Sequence, residues 1–207
     1  MPPARTRGVY VRIVIRAPLE CLWELTQDPA EHARWDLRFS RIEPIEQLPS
    51  GAYRFRYERR MPLHTIRGTG TSIGERRGVD GTATSALRFD TRDRLSPLGD
   101  GRGFWRYERT EDGAGTIFTT GYDYAPGWGR ILDRLILRRL IGWMTAWSFD
   151  RLRIWAEDGT RPERWPLRSV LAVWRRDRPR AGRCERTPPH AHALANAPAS
   201  LGTLENP

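Results

Sequence analysis

Hydrophobic and polar residues alternate along most of the first 125 residues, and this period of two predicts β-strands. The first run, residues 9–15, places Val9, Val11 and Ile13 on one face. Further alternating or β-branched runs, separated by turn residues, follow at 39–47, 53–57, 63–73, 82–91, 104–110 and 116–124. Consecutive strands joined by short turns predict an antiparallel sheet of about six or seven strands.

Turn residues and one proline refine this sheet. Pro44 interrupts the second run, and because proline cannot donate to a strand ladder, it predicts a bulge or an edge strand. Residues 77–81 are typical of a turn, and the glycine-containing segment 111–115 predicts a β-hairpin between its two flanking strands. We expect an irregular loop at residues 92–103.

Two short helices are predicted directly after the first strand. Pro18 fits the first turn of a helix, and apolar residues follow it at helical spacing. Asp28 is then predicted to cap a second short helix, and Pro29 fits its first position. In that second helix we expect His32 to face water and Trp35 to face inward.

The pattern becomes helical from Trp128 to Glu157, and Asp158-Gly159 is predicted to end this helix. At 1.5 Å per residue it would be about 45 Å long, enough to cross a sheet. Its predicted apolar face comprises Ile136, Leu137, Leu140, Trp143, Met144, Trp147 and Ile154, with Asp133 and Arg151 close to that face. A twisted sheet curves, so we expect the helix to bury its face on the concave side and the short helices to plug one end, enclosing a cavity.

The composition changes near residue 159. We therefore predict a folded domain over 1–158 and an Arg- and Pro-rich extension over 159–207. A short apolar stripe predicts a helix at about 164–176, and the Pro- and Ala-rich residues beyond Thr187 are typical of disorder.

The two cysteines, Cys21 and Cys184, support neither a disulfide framework nor a metal site.

The net charge of +10 is typical of proteins that contact anionic partners. However, all 35 basic residues are arginine and none is lysine, which favours a compositional bias over a dedicated binding surface. The sequence has no run of 18 apolar residues and no signal-peptide pattern at its start. We therefore expect a cytoplasmic protein.

The segment VRIVIRAPLECLWELTQDPAEHARWD resembles the start of the START-like, helix-grip superfamily. The resemblance rests on Ile13, Ile15, Ala17-Pro18, Trp23 and the later Trp35-Asp36, and with the 104–124 hairpin and the long helix it covers roughly residues 8–158. This superfamily includes polyketide cyclases, lipid-transfer domains and relatives of the major birch-pollen allergen. The resemblance implies an α+β helix-grip fold and a cavity for a lipid-, polyketide- or aromatic-like molecule between the sheet and the last helix.

Aromatic residues are concentrated on the expected inner faces, where apolar walls with a few polar tips are typical of a small-molecule pocket. We predict a ligand-binding set of Trp35, Phe55, Tyr57, Trp105, Tyr107, Tyr122, Tyr124, Trp143, Met144, Trp147 and Arg151. In this set Arg151 would hold a carboxylate or phenolate. For any single aromatic ring of this set, the alternative is that it packs in the core and contacts no ligand.

No catalytic arrangement is visible, and His32, His64, His190 and His192 lack metal-ligand spacing, so no metal or cofactor is expected. The preferred hypothesis is therefore a non-catalytic ligand-binding protein. An alternative is a cyclase- or dehydratase-like enzyme, which predicts that Tyr57, Tyr107, Tyr122 and Arg151 converge in the cavity. A third alternative is weak association of the basic extension with a membrane surface or, less favoured, with nucleic acid. The sequence indicates no oligomeric state.

Overall fold

The structure is a computed structural model that describes residues 8–76, 81–188 and 192–207. Nearly all of the turn predicted at 77–81 lies outside these residues, as does His190.

Seven antiparallel strands form one sheet, in the order β1-β7-β6-β5-β4-β3-β2. The strands are β1 (Val9–Ile15), β2 (Arg41–Gln47), β3 (Tyr53–Met61), β4 (His64–Arg76), β5 (Ala83–Asp90), β6 (Leu98–Arg109) and β7 (Thr116–Pro126). The predicted antiparallel sheet is confirmed. The predicted loop at 92–103 is wrong in its second half, because β6 begins at Leu98 and pairs with β7 through Gly101 and Gly103.

Strand β2 lies at one edge of the sheet, and its register against β3 shifts between Pro44 and Glu46. Both outcomes predicted from Pro44 are therefore confirmed. An edge position leaves the missing N–H of proline on the open side of the strand, where it breaks no ladder hydrogen bond.

Two short helices, α1 (Leu19–Gln27) and α2 (Pro29–Trp35), connect β1 to β2. The Asp28 carboxylate caps α2 by accepting hydrogen bonds from the backbone N–H groups of Ala30 and Glu31 at 2.7 and 3.2 Å. Trp35 is buried as expected, but the expectation for His32 is wrong because its ring is also buried, between α2 and the sheet.

The long helix begins at residue 130, two residues later than predicted, and ends at Asp158 followed by Gly159 in the left-handed conformation. It consists of α3 (Arg130–Leu132), a π-turn (Asp133–Leu137) and α4 (Arg138–Asp158). The wider π-turn shifts the phase of the residues before it, and the predicted apolar face is partly wrong. Ile136, in the π-turn, is exposed. Leu140, after the turn, is also exposed, because the buried stripe of α4 runs through Ile141, Thr145 and Ser148.

The main core lies between α4, the two short helices and the sheet, where α4 packs most closely against β1. Asp133 and Arg151 are buried, as their positions on the helix predicted. Thr145 and Ser148 are buried as well. The Thr145 hydroxyl bonds the Ile141 carbonyl and the Tyr122 hydroxyl, so this polar position is satisfied inside the core.

Residues beyond Asp158 return along α4. The helix predicted at about 164–176 is wrong, since the chain forms two 3₁₀ turns, Pro162–Arg164 and Leu167–Leu171. The fully buried carboxylate of Asp150 fixes this segment by accepting from the Arg180 backbone at 2.7 Å and the Arg183 guanidinium at 2.8 Å. Cys184 is free, and it is buried.

The last residues cover the outer face of the sheet. Leu201 and Leu204 pack with Leu48, Ala52 and Ala86, and Thr71 donates to the Glu205 carbonyl at 2.6 Å. The described residues beyond Thr187 are therefore packed on the domain, which differs from the predicted disorder. No helix among 8–76, 81–188 and 192–207 combines the length and apolar character that a membrane span requires.

Candidate ligand-binding cavity

A cavity of about 80 Å³ lies between α2, the segment that follows it, and the inner faces of strands β2 to β7. Its walls are mainly apolar and aromatic. The lining residues are Pro29, His32, Arg38, Phe39, Ile42, Tyr53, Phe55, Tyr57, Ser72, Ser85, Leu87, Phe89, Leu98, Gly103, Phe104, Trp105, Thr120 and Tyr122. The long helix contributes none of them, so the cavity is displaced from the position expected beneath that helix.

Glycines in β4 make room for the aromatic wall. A Cβ atom at Gly70 would lie 2.3 Å from the Phe55 ring, and one at Gly68 would lie 2.4 Å from the Tyr57 ring. Both distances are shorter than any real carbon contact. The Phe55 and Tyr57 rings of β3 therefore occupy the space above the β4 backbone at these two positions, and this arrangement explains the glycines in a strand that otherwise favours branched residues.

One ion pair projects into this apolar space. Asp36 ends α2 and is fully buried, and its carboxylate accepts from Nε and Nη2 of Arg38 at 2.9 and 2.6 Å. The Arg38 guanidinium lies over the Tyr122 ring, 5.1 Å from the ring centroid. On its other side, the Asp36 carboxylate is 3.2 Å from Nε2 of His32. The cavity therefore has a cationic wall group whose counter-charge lies behind it, in the core.

The protonation states follow from this packing. Burial acts to raise the pKa of Asp36, but the charges and hydrogen bonds of Arg38 and His32 prevail and hold that pKa far below its usual value. Burial acts to lower the pKa of Arg38, but the charge of Asp36 prevails and raises it. Arg38 is consequently charged at neutral pH.

Burial lowers the pKa of His32 below 6.5, and its contact with Asp36 opposes that effect only in part. We therefore expect the folded protein to lose stability as the pH falls from 7.5 to 5.5. In that range the unfolded chain takes up a proton on His32 that the folded chain does not. Urea unfolding at the two pH values measures the difference, and His32→Gln should reduce it. An equal pH dependence in the variant would contradict this assignment.

Four of the predicted site residues line the cavity: Phe55, Tyr57, Trp105 and Tyr122. Two others lie in the adjacent core, where the Trp35 indole donates to the Leu25 carbonyl at 2.9 Å and the Tyr107 hydroxyl is 2.6 Å from that of Thr26. As ligand-binding residues all of them stay predictions.

The remaining predicted residues lie on or beside the long helix, away from the cavity. Tyr124 donates to the buried Asp133 at 2.6 Å, and Trp143 and Met144 are half-buried against the core. Trp147 is buried, and its ring lies 5.3 Å from the Arg151 guanidinium.

Arg151 is held by three backbone carbonyls, those of Arg34, Trp35 and Pro162, at 2.8–3.2 Å. These contacts connect α4, α2 and the C-terminal extension. Because Arg151 and Tyr107 are engaged in this way outside the cavity, the polar cluster that the cyclase hypothesis requires does not form. Of its four members only Tyr57 and Tyr122 line the cavity.

Sequence reasoning missed the polar residues that do line the cavity. The signal for Arg38 was its position two residues after a helix-ending aspartate, a spacing that lets an arginine return to that carboxylate. For His32, the signal was its place one helical turn before Asp36. Phe39 and Phe89 were visible only as isolated aromatic residues, and nothing in their spacing indicates a shared site.

The family model described as "Polyketide cyclase / dehydrase and lipid transport" matches residues 6–157. Among curated proteins, the chain is 38% identical over 174 residues to "Uncharacterized membrane protein YndG" of Bacillus subtilis (strain 168). The alignment covers 82% of this chain, and the chain spans 65% of the length of that relative.

Solved structures share the fold at low sequence identity. Human STARD10 is 12% identical with a TM-score of 0.57, covering 84% of this chain and 70% of its own. The di-domain aromatase/cyclase BexL from the BE-7585A biosynthetic pathway is 14% identical with a TM-score of 0.53, covering 72% and 45%. A Deinococcus radiodurans protein is 16% identical with a TM-score of 0.50, covering 74% and 99%.

Proposed function

The chain belongs to the polyketide cyclase/dehydrase and lipid transport family, and from that premise we propose that it binds a small, mostly apolar molecule carrying an anionic or carbonyl oxygen. The oxygen would face Arg38, and the apolar part would lie among the rings of β3, β5 and β6. One observation carries the proposal: an arginine paired with a buried aspartate in the wall of an otherwise mainly apolar cavity.

An arginine in this position favours an oxygen-bearing guest because a charged donor in apolar surroundings makes stronger hydrogen bonds than it does in water. Asp36 holds the guanidinium from behind, so the donor is already oriented before a ligand arrives. The hydroxyls of Ser72 and Ser85, 3.4 Å apart on the same wall, offer weaker polar contacts. The rest of the lining supplies dispersion and apolar area.

The volume restricts the guest. A single buried water needs roughly 10–15 Å³ of such space, whereas pockets for drug-sized ligands have roughly 300–1,000 Å³. At about 80 Å³ the cavity therefore accepts a small guest as it stands. A larger one requires the half-buried side chains at its rim, Phe39, Phe89 and Leu98, to move.

The direct test fills the cavity. Ser85 points into it from β5, whereas its neighbour Thr84 points to the opposite face of the same strand. The probe is 8-anilinonaphthalene-1-sulfonate, a larger guest that enters when the rim side chains move. Ser85→Leu should weaken its binding at least about tenfold because the new side chain occupies the space of the probe. Thr84→Leu is the matched control and should bind as the unchanged chain does. Equal binding by all three proteins would reject the cavity as the site.

The role of Arg38 predicts a preference for anionic guests. N-phenyl-1-naphthylamine has the same aromatic body as 8-anilinonaphthalene-1-sulfonate but lacks the charge. We expect the sulfonate to bind about tenfold more tightly, since a hydrogen bond to a charged group contributes roughly 1.5–3 kcal/mol. Fluorescence titration of both probes measures the ratio, with Ser85→Leu identifying the part of the signal that comes from the cavity. A ratio near one would remove Arg38 from the proposal.

A further inference from the structure

The first turns of the long helix expose an unusual amount of apolar surface. Between residues 130 and 140 only Asp133 and Leu137 are buried. The outward-facing side chains, here called the exposed helix face, are Ile131, Leu132, Leu135, Ile136 and Leu140. Ile131 is 79% exposed and Leu135 is 59% exposed. A contiguous group of this kind marks an interaction surface.

Two loops extend the same end of the molecule. In an antiparallel sheet the β3–β4 turn, the β5–β6 loop and the end of β7 lie at one end. The structure joins them directly: Nε2 of His64 is 2.6 Å from the Asp93 carboxylate, and the Gly127 N–H donates to the Pro97 carbonyl at 3.0 Å. Each segment carries an exposed apolar residue at this end, namely Leu63, Leu95 and Trp128.

The exposed charged residues of two of these segments are all positive. Residues 91–97 and 128–140 expose five arginines, namely Arg92, Arg94, Arg130, Arg134 and Arg139. The two carboxylates in the same segments are engaged, since Asp93 bonds His64 and Asp133 is buried against Tyr124 and Arg138. The exposed charges of these two segments are therefore cationic.

We propose that this end of the molecule docks on an anionic phospholipid membrane. A helix with apolar residues on its outer side, arginines beside them and a tryptophan just before its first residue has the composition of helices that lie in a membrane interface. The apolar side chains would enter the acyl boundary while the arginines contact lipid phosphates. A second copy of the chain fits less well, because a two-fold contact would place two sets of arginines together, and residues 91–97 and 128–140 offer no exposed carboxylate to pair with them. The proposal is independent of the cavity.

The test is co-sedimentation of the full chain with vesicles of phosphatidylcholine, with and without phosphatidylglycerol. We expect binding to the anionic vesicles, weakened by salt. Ile131→Ser/Leu135→Ser should reduce binding at least about tenfold, because each change removes a large apolar side chain from the interface. Arg130→Ser/Arg134→Ser should reduce it about fivefold per arginine on the anionic vesicles alone. All four positions are exposed, so the urea midpoint should not change.

The control uses the exposed apolar residues of the extension. Leu171→Ser/Trp174→Ser removes as much exposed apolar surface from 3₁₀ and turn residues that also have arginines beside them, and it should bind vesicles as the unchanged chain does. Loss of binding in this variant, but not in the helix variant, would move the docking surface to the extension. Concentration-dependent dimers abolished by Ile131→Ser/Leu135→Ser would identify a second copy as the occupant. No vesicle binding would overturn the proposal. Ser85→Leu should bind vesicles normally, which separates this test from that of the cavity.

Discussion

Replacement of Asp36 by alanine is expected to lower the free energy of unfolding by about 3–5 kcal/mol, the range for removing one partner of a buried ion pair. The Asp36 side chain has no exposed surface, and that of Arg38 is 16% exposed. Removing the carboxylate leaves the guanidinium in an aromatic wall without its counter-charge. The Arg38 backbone N–H, which donates to Asp36 at 3.0 Å, also loses its acceptor.

Urea unfolding measures this loss, and Glu20→Ala is the matched control. Glu20 pairs with Arg109 at 2.8 Å, but both side chains are about half exposed, and such a pair contributes roughly 0–1 kcal/mol. The double variant Asp36→Leu/Arg38→Met should be more stable than Asp36→Ala, because apolar residues of similar size remove the unpaired charge together with its partner. If Asp36→Ala is as stable as Glu20→Ala, the result would show that the Arg38 guanidinium reaches solvent.

The pH dependence provides a second check on the same pair. Because the pKa of Asp36 in the folded protein is held well below its usual value, its contribution is fully present above the pKa of the unfolded chain, about 3.9. The contribution is lost as the pH falls further below that value. The loss from His32 occurs at higher pH, below about 6.5. Two separate declines are therefore expected on acidification, and in Asp36→Ala the lower one should be smaller, because other carboxylates of lowered pKa, such as Asp93 and Glu163, still contribute to it.

The strands and the two short helices could be predicted because their signals are local. Alternation defined the strands, Pro44 marked the edge and bulge, and Asp28-Pro29 marked the start of α2. The orientation of the long helix could not be predicted in the same way. Its buried stripe includes Thr145 and Ser148, which an apolar pattern excludes, and its π-turn changes the phase before residue 138.

The site was predicted only in part, for a related reason. Residues two apart on a strand share a face, so the rings of β3 and β6 were correctly grouped on the inner side. That inner side is then divided between α1, α2 and α4, and the division is a tertiary property. Tyr107 meets α1 through Thr26, whereas Trp105, two residues away, lines the cavity. Nothing in the strand itself distinguishes the two positions.

The extension shows the limit of composition as a guide. A Pro- and Ala-rich segment without apolar period is typical of disorder because it offers little area to bury. Here the described residues beyond 192 pack through a few small or branched side chains and through their own carbonyls. Arg106 donates to the Asn196 carbonyl at 2.9 Å, and Thr71 donates to that of Glu205. Because every residue type has a backbone carbonyl, contacts of this kind produce no recognisable pattern of residue types in the sequence.

Replacement of Trp35 by alanine is expected to destabilise the protein by about 3–5 kcal/mol, as for other buried tryptophans. Its ring is fully buried and lies 6.0 Å from each of the rings of Trp105 and Phe149. The deletion leaves a void between α2, the sheet and α4, and the Leu25 carbonyl loses the indole donor. Trp35 therefore fixes α2, and with it Asp36, against the core.

Trp174→Ala is the control for this change, because that ring is largely exposed and its loss should alter stability by no more than about 0.5 kcal/mol. Urea unfolding of both variants, followed by probe titration under conditions where each is folded, separates two roles for Trp35. A loss of stability with probe affinity reduced only modestly assigns it to the core that positions Arg38. If Trp35→Ala instead keeps its stability but loses probe affinity, the result would support the prediction that Trp35 contacts the ligand. It would also require α2 to move when the cavity is occupied.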